Sequence, residues 1–421
     1  MNPNKNITPN KNKRHLKIIF FTVLMDMIGV GILIPIIPYL FDINSQYNII
    51  SGSSFINSSN SLFWQGFTLA VYPLFQFLFA PILGELSDHY GRKRILILCL
   101  IGTLIGNLLT AVAILNHNFE LFIIGRIIDG ITAGNISIAM ASIADVSEDK
   151  DKAKNFGMIG AAFGIGFIVG PAIGGILSKH FGVHTPFLFS STLGLINIIL
   201  VTYFLRETLA KKISSISEKA FKLHPYTAIK NIVMGFKMPQ LRIIFTANLL
   251  WVSAFAFYTS FIGVYLKNRF GFELDQVGYY FAYIGICIAI NQGILVRYVF
   301  QKFEDVKILK SCLIVFSFII SIFIFSHSLL VNLLLIPIFT VCIGLSNAAI
   351  SAMTSKRAGP EIQGRIIGIS SSLQALGGTL PQFTAGLLAV SFGYTAPLYG
   401  AIILALLAAY VIAKDKFKFS L

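Results

Sequence analysis

Gly84-Glu85-Leu86-Ser87-Asp88-His89-Tyr90-Gly91-Arg92-Lys93-Arg94 is a short charged loop wedged between two long apolar runs. Its two glycines permit a turn tight enough to set those runs side by side. Each run has the roughly 20 apolar residues that a membrane-spanning helix needs. Three consecutive cations at 92–94 put the loop on the cytoplasmic face, where Lys and Arg of short loops concentrate. An all-α membrane protein is the fold class this stretch implies.

Working outward, composition agrees. Of 421 residues, 55% are hydrophobic and only 12% charged, with a mean hydropathy of +0.77. A soluble domain carries about a quarter of its residues as charges. The net charge of +15 does not point to nucleic acid, because the cations lie between apolar runs and not on one stripe with interleaved aromatics. Cys99, Cys287, Cys312 and Cys342 all sit in apolar segments with no ligand spacing, so they read as packing residues and no metal or cofactor is expected.

Spans of helix length fall near 16–41, 61–84, 95–115, 119–144, 154–179, 184–206, 240–266, 275–298, 306–326, 328–352, 362–390 and 393–413. Twelve spans put both termini on one side. Alternating the loops leaves roughly 29 Lys and Arg on that side against about three opposite, Lys179, Lys267 and Arg269, which makes the termini cytoplasmic and the protein a multi-pass one of the inner membrane. The expected organisation is a disordered tail over 1–15, a six-helix half over 16–206, a cytoplasmic linker over 207–239, a second six-helix half over 240–413 and a short tail over 414–421. Gly84 and Gly293, Gly157 and Gly368, and Pro171 and Pro381 recur about 210 residues apart, a faint internal repeat.

Ionisable residues deep in a bilayer are costly and need a partner or a task. Asp26, Arg126 and Asp129 lie deep, each of the two acids roughly 13–15 Å from an interface at the helical rise per residue. Arg126 and Asp129 are three apart on one helix and share a face, so they can pair. Asp26 has no cation within its own helix turn, and a lone deep carboxyl suits proton uptake and release. The fifth span carries Gly157, Gly166, Gly170, Pro171, Gly174 and Gly175; the glycines let another helix approach closely and the proline allows a bend. Amides and aromatics at Gln76, Asn135, Trp251, Tyr258, Asn291, Gln374 and Gln382 are candidates to line a substrate cavity, the alternative being ordinary packing. No zinc-hydrolase, nucleophile-elbow or phosphate-loop pattern is present, so an enzyme is not expected.

The 84–94 loop resembles the signature between the second and third helices of the major facilitator superfamily, matching at Gly84, Leu86, Asp88, Gly91, Arg92, Lys93 and Arg94 and departing at His89. The resemblance implies two six-helix halves with a site at their interface. Gly125-Arg126 through Asn135 resembles the fourth-helix motif of proton-coupled members, which ties Arg126 to proton movement. The fifth-span glycines resemble the pattern of the exporters. Met25-Asp26 through Pro38 looks like the opening of the tetracycline-efflux branch of the drug:proton antiporters.

These resemblances imply proton-coupled efflux of a small amphiphilic molecule, tetracycline-like or another drug, with Asp26, Arg126 and Asp129 in coupling. Gly84, Asp88, Gly91 and Arg92 would form the conformational switch, with Asp88 reaching the start of the eleventh span near Gly359 to Arg365. The alternatives are export of an endogenous metabolite such as a siderophore or sugar, a symport importer, and a non-transporting sensor. Partners are then a small molecule, protons and the lipid bilayer, with a monomer expected.

Overall fold

The structure is a computed structural model that describes residues 9–147, 149–209, 227–358 and 363–415. Among the described residues every regular element is a helix: α1 (Pro9–Leu40), α2 (Ser61–Tyr90), α3 (Arg92–Leu115), α4 (Phe119–Ile131), α5 (Asn135–Val146), α6 (Asp149–Phe181), α7 (Thr185–Phe204), α8 (Thr227–Phe236), α9 (Pro239–Phe270), α10 (Leu274–Lys302), α11 (Asp305–Phe325), α12 (Leu329–Ala358), α13 (Gln363–Phe392) and α14 (Ala396–Ala413). Among the described residues, eleven segments are long and apolar enough to cross a membrane, α4 and α5 together making one of them. The 29-residue α10 is the twelfth long rod of the bundle. Leu98, Ile105 and Val112 on α3, Ile199 on α7 and Phe318 on α11 are exposed, which is the outward apolar surface a bilayer covers.

Helices α1–α7 form one half and α9–α14 the other. Long helices alternate in direction, so the bundle has a terminal end, where the described chain starts and finishes, and a far end. The halves meet chiefly where α2 packs on α13 and α6 on α10. Glycines make both seams tight. A Cβ on Gly66 would lie 2.7 Å from the Gln382 carbonyl, and one on Gly175 would lie 2.9 Å from the Cα of Gly278.

Three expectations need correction. The fourth span is not continuous: it breaks at 132–134 between α4 and α5. Thr132 turns its hydroxyl onto the Ile128 carbonyl at 2.9 Å, and the flanking glycines favour helix poorly. The tail is not wholly without structure, because α1 begins at Pro9. Asn12 donates to the Val146 carbonyl at 3.2 Å, and buried His15 meets the Ser142 hydroxyl at 2.8 Å, so α5 holds these roughly two extra turns. Finally, the linker interval contains α8, which packs against α2, α13 and α9.

At the 84–94 loop, Gly91 takes φ +106°, a conformation open to glycine, and so joins α2 to α3 without an intervening residue. The short connections at Ser326–Ser328 and at Gly393, φ +89°, separate the ninth span from the tenth and the eleventh from the twelfth as the sequence suggests.

Candidate functional site

The ionisable residues converge inside the first half. Arg126 Nη1 donates to Asp129 Oδ2 at 3.2 Å, with both side chains at least nine-tenths buried. The guanidinium also lies over the Tyr72 ring, 4.9 Å from its centroid, so α2 helps to hold it. Asp26 on α1 accepts a hydrogen bond from Asn135 Nδ2 at 3.0 Å. That contact exists because of the helix break: Asn135 is the first residue of α5, and the interruption turns it towards α1. The same break frees the Ala133 carbonyl, which Gln76 of α2 satisfies at 3.3 Å. A discontinuous helix at membrane depth is tolerated where protein groups meet its open backbone.

Asp26 and Asp129 line one small cavity of about 20 Å³ together with Tyr72, Thr103, Asn107 and Asn197. Room of that size holds about one water. Thr22 on α1 donates to Asn197 Oδ1 on α7 at 2.9 Å and closes one wall. The cavity lies among α1, α2, α3, α4 and α7, inside the first half. Arg126 Nε and Asn135 Oδ1 are buried without a protein partner, so the cluster retains capacity for a further donor and acceptor.

The fifth-span glycines divide between two neighbours. Cβ atoms on Gly166, Gly170 and Gly174 would fall 2.4 Å from Met27 Cβ, 2.7 Å from the Ile28 carbonyl and 2.5 Å from the Ile32 carbonyl, all on α1. A Cβ on Gly31 of α1 would likewise fall 2.8 Å from Pro171 Cδ. These helices therefore touch backbone to backbone along the stretch that carries Asp26. Gly175 turns instead to α10 and the other half. Gly157 lies in α6, but its surroundings fall outside the described side chains.

Trp251, Tyr258 and Asn291 of the second half are engaged within it. Trp251 donates through Nε1 to Asn347 at 2.8 Å and packs edge-on to Phe316 at 5.0 Å. Tyr258 sits 4.7 Å from Phe339, ring to ring, and shares a hydrogen bond of 3.3 Å with Tyr280. Asn291 donates to Thr340 at 2.7 Å and to the Pro337 carbonyl at 3.2 Å. Gln382 lies beside the α2–α13 seam, its backbone carbonyl facing Gly66, and Gln374 is exposed.

At the terminal end, Arg92 gathers Asp88, Asp145 at 3.3 Å and the Ser87 hydroxyl at 2.7 Å. Glu207, just after α7, accepts the backbone N–H groups of Arg92 at 2.9 Å and Lys93 at 3.2 Å. A carboxylate there suits the positive end of α3, and a side chain on Gly91 would collide with it, 2.3 Å from Oε2. Asp88 is thus tied to its own half. Of its expected reach, residues 359–362 lie outside the described residues, as does the side chain of Arg365. Among the described residues nothing lies within 4 Å of a Cβ placed on Gly84.

The far end carries contacts that sequence reasoning missed. Lys267 of α9 pairs with Asp42 and lies over the Tyr39 ring at 4.6 Å, while Tyr39 donates to the Phe272 carbonyl at 2.6 Å. Lys179 of α6 bridges Glu273 at 3.0 Å and Asp275 at 2.8 Å. Every one of these joins the two halves. The signal lay in view, since Lys179 and Lys267 are two of the rare cations assigned to this side.

Two six-span halves, joined along glycine seams and tied at one end by ion pairs, with Asp26, Arg126 and Asp129 gathered inside the first half, make up a membrane transporter. The family model described as the Major Facilitator Superfamily matches residues 19–381, and the chain belongs to that superfamily. It is 30% identical over 302 residues to the tetracycline resistance protein, class H, of Pasteurella multocida, covering 70% of this chain and 68% of that protein. Multidrug resistance protein 2 of Bacillus subtilis is 26% identical over 383 residues, 90% of each chain. The fold matches the crystal structure of the human organic anion transporter MFSD10 (TETRAN) with a TM-score of 0.74 and 22% identity, covering 96% of this chain and 100% of that one. It also matches a D-xylose-proton symporter with a TM-score of 0.76 at 14% identity, covering 96% and 97%.

Proposed function

We propose that this transporter exports a small amphiphilic molecule, a tetracycline or a related drug, from the cytoplasm in exchange for protons. The observation that carries the reading is the contrast between two acids on one cavity. Asp129 has a permanent cation at 3.2 Å, whereas Asp26 has a neutral amide at 3.0 Å. A carboxyl held by an amide alone keeps its hydrogen-bond partner in either protonation state, since the amide offers both a donor and an acceptor. Asp26 is therefore the group that takes up and releases the proton, and Arg126 with Asp129 fixes the field around it.

The names of the relatives in Pasteurella and Bacillus support the substrate class, and the Lys and Arg asymmetry supports an inner-membrane orientation with the terminal end in the cytoplasm. With the far end tied shut, the conformer described here is one that faces, or can open to, the cytoplasm. Asp88 and Arg92 then serve the switch between this state and its opposite, and transport proceeds by alternating access.

The test is gradient-driven accumulation of tetracycline in everted membrane vesicles. Asp26→Asn retains the amide contact but removes the titrating group, so pH-gradient-driven uptake falls by about two orders of magnitude, a scale set by the loss of an obligatory proton-transfer group. Downhill movement of the drug persists. Full gradient-driven uptake by Asp26→Asn overturns the coupling assignment.

A further inference from the structure

Between the halves, α8 places a side chain in the seam without spanning the bundle. Ile232 packs with Leu78 of α2 and Leu376 of α13 around Phe77 and Ala375, a small apolar cluster separate from the main core. Phe77 and Leu78 belong to the first half, Ala375 and Leu376 to the second, and α8 as a whole lies against both α2 and α13, with Ile232 also packed on the main core.

The support of α8 is one-sided. Gly235 sits so close to the second half that a Cβ there would lie 2.7 Å from Ile369 Cγ2 and 3.0 Å from the Phe245 ring. Two residues then lead into α9, with the Met238 N–H bonded to the Gly235 carbonyl at 3.2 Å and the Leu241 N–H bonded to the Met238 carbonyl at 3.1 Å. Phe236 and Met238 pack on the main core, while Ile229 and Val233 point outward. The helix is thus carried mainly by α9 and α13 of the second half and also lies against α2 of the first, with Ile232 at that seam.

Position along the seam gives this contact its meaning. The α2–α13 packing runs from Gly66 against Gly386 at the far end, through Pro73 beside Gly378, to Phe77 beside Ala375. Ile232 stands where that antiparallel packing approaches the terminal end. Closing the terminal end turns α2 and α13 further together beyond this point, and α8, which lies against both, stands in the way.

We infer that α8 is a wedge fixed to the second half, whose Ile232 holds the terminal end apart and must leave Phe77 and Leu78 before the transporter can turn outward. The inference rests on the alternating-access reading but not on any substrate. Its test uses cysteine pairs in a protein whose four native cysteines are replaced. Gln65→Cys with Ser260→Cys reports closure at the far end, since Gln65 donates to the Ser260 carbonyl across the halves at 3.4 Å.

Adding Ile232→Ala slows that cross-link by about fivefold, the scale of losing part of one buried aliphatic contact from one of two states. Ile232→Leu, which refills the space, restores it. An unchanged cross-linking rate in Ile232→Ala overturns the inference. A second pair, Ile232→Cys with Leu78→Cys, arrests transport when oxidised and releases it on reduction; transport that continues through the oxidised pair overturns it too. The far-end cross-link needs no drug, so a wrong substrate leaves this outcome readable.

Discussion

Where α1, α2, α3, α4 and α7 meet, Asp26 and Asp129 share a cavity with Tyr72, Thr103, Asn107, Ser190 and Asn197, and Arg126 pairs with Asp129 beside it. In the second half, α9, α11 and α12 bring together Trp251, Phe316 and Phe339, and the polar contact described at this cluster is the neutral hydrogen bond from Trp251 to Asn347. Charge inside a membrane is expensive, and neutral partners would hold helices together as well or better. The second half has a buried ion pair too, Arg357 with Asp415, but at the terminal end, where α12 and α14 finish. Under the proposed function, the charges among α1 and α4 handle protons and the aromatic cluster of the second half serves packing and substrate.

The strongest way to break this comparison is Arg126→Ala. Asp129 is then stranded without its cation, and removing one member of a buried pair costs about 3–5 kcal/mol. Thermal unfolding in detergent drops accordingly and transport is lost. Arg126→Ala with Asp129→Ala recovers much of the stability; recovery of gradient-driven transport as well makes the pair purely structural and dissolves the contrast between halves.

A smaller effect is expected from Trp251→Phe, which keeps the packing on Phe316 but leaves Asn347 Oδ1 without its indole donor. The cost is about 1–2 kcal/mol of stability, and the pH profile of transport stays that of the parent. A shifted profile would mean that the second half shares in proton handling.

Smallest is Tyr258→Phe. Its 3.3 Å bond to Tyr280 is long, and hydrogen bonds between membrane helices average about 0.6 kcal/mol. The unfolding temperature moves by a degree or two at most, and any change in transport is confined to substrate affinity, read as apparent KM against maximal rate.

Much of this arrangement was legible because it is local. Apolar runs of bilayer length give the spans, and the Arg126–Asp129 pair follows from a three-residue offset on one helix. The Asp26–Asn135 bond does not follow, because 109 residues separate its members and the break that aims Asn135 is set by Thr132 and by close packing on Gly130. Helix α8 was hidden in a polar interval too long to suggest a ten-residue element. Trp251 and Tyr258 are named by the sequence as candidate cavity residues, yet an aromatic side chain reads alike whether it faces a ligand or another ring. The loop at 84–94 was recognised, but the capping role of Glu207 depends on where α7 ends beside α3.

One consequence follows from the far end. The bonds that shut it, Lys267 to Asp42 and Lys179 to Glu273 and Asp275, are rim contacts between opposite charges, and the side chains of Lys179 and Glu273 are well exposed. In the proposed orientation they stand in the medium that surrounds the cell. Mobile ions there screen charges beyond about 8 Å at physiological strength and closer in brine. Each outward turn must part these charges, so ambient salinity acts on the latch while the buried cluster around Asp26 is shielded from it. A cell moved from fresh water to salt would find the same pump easier to open and no differently coupled.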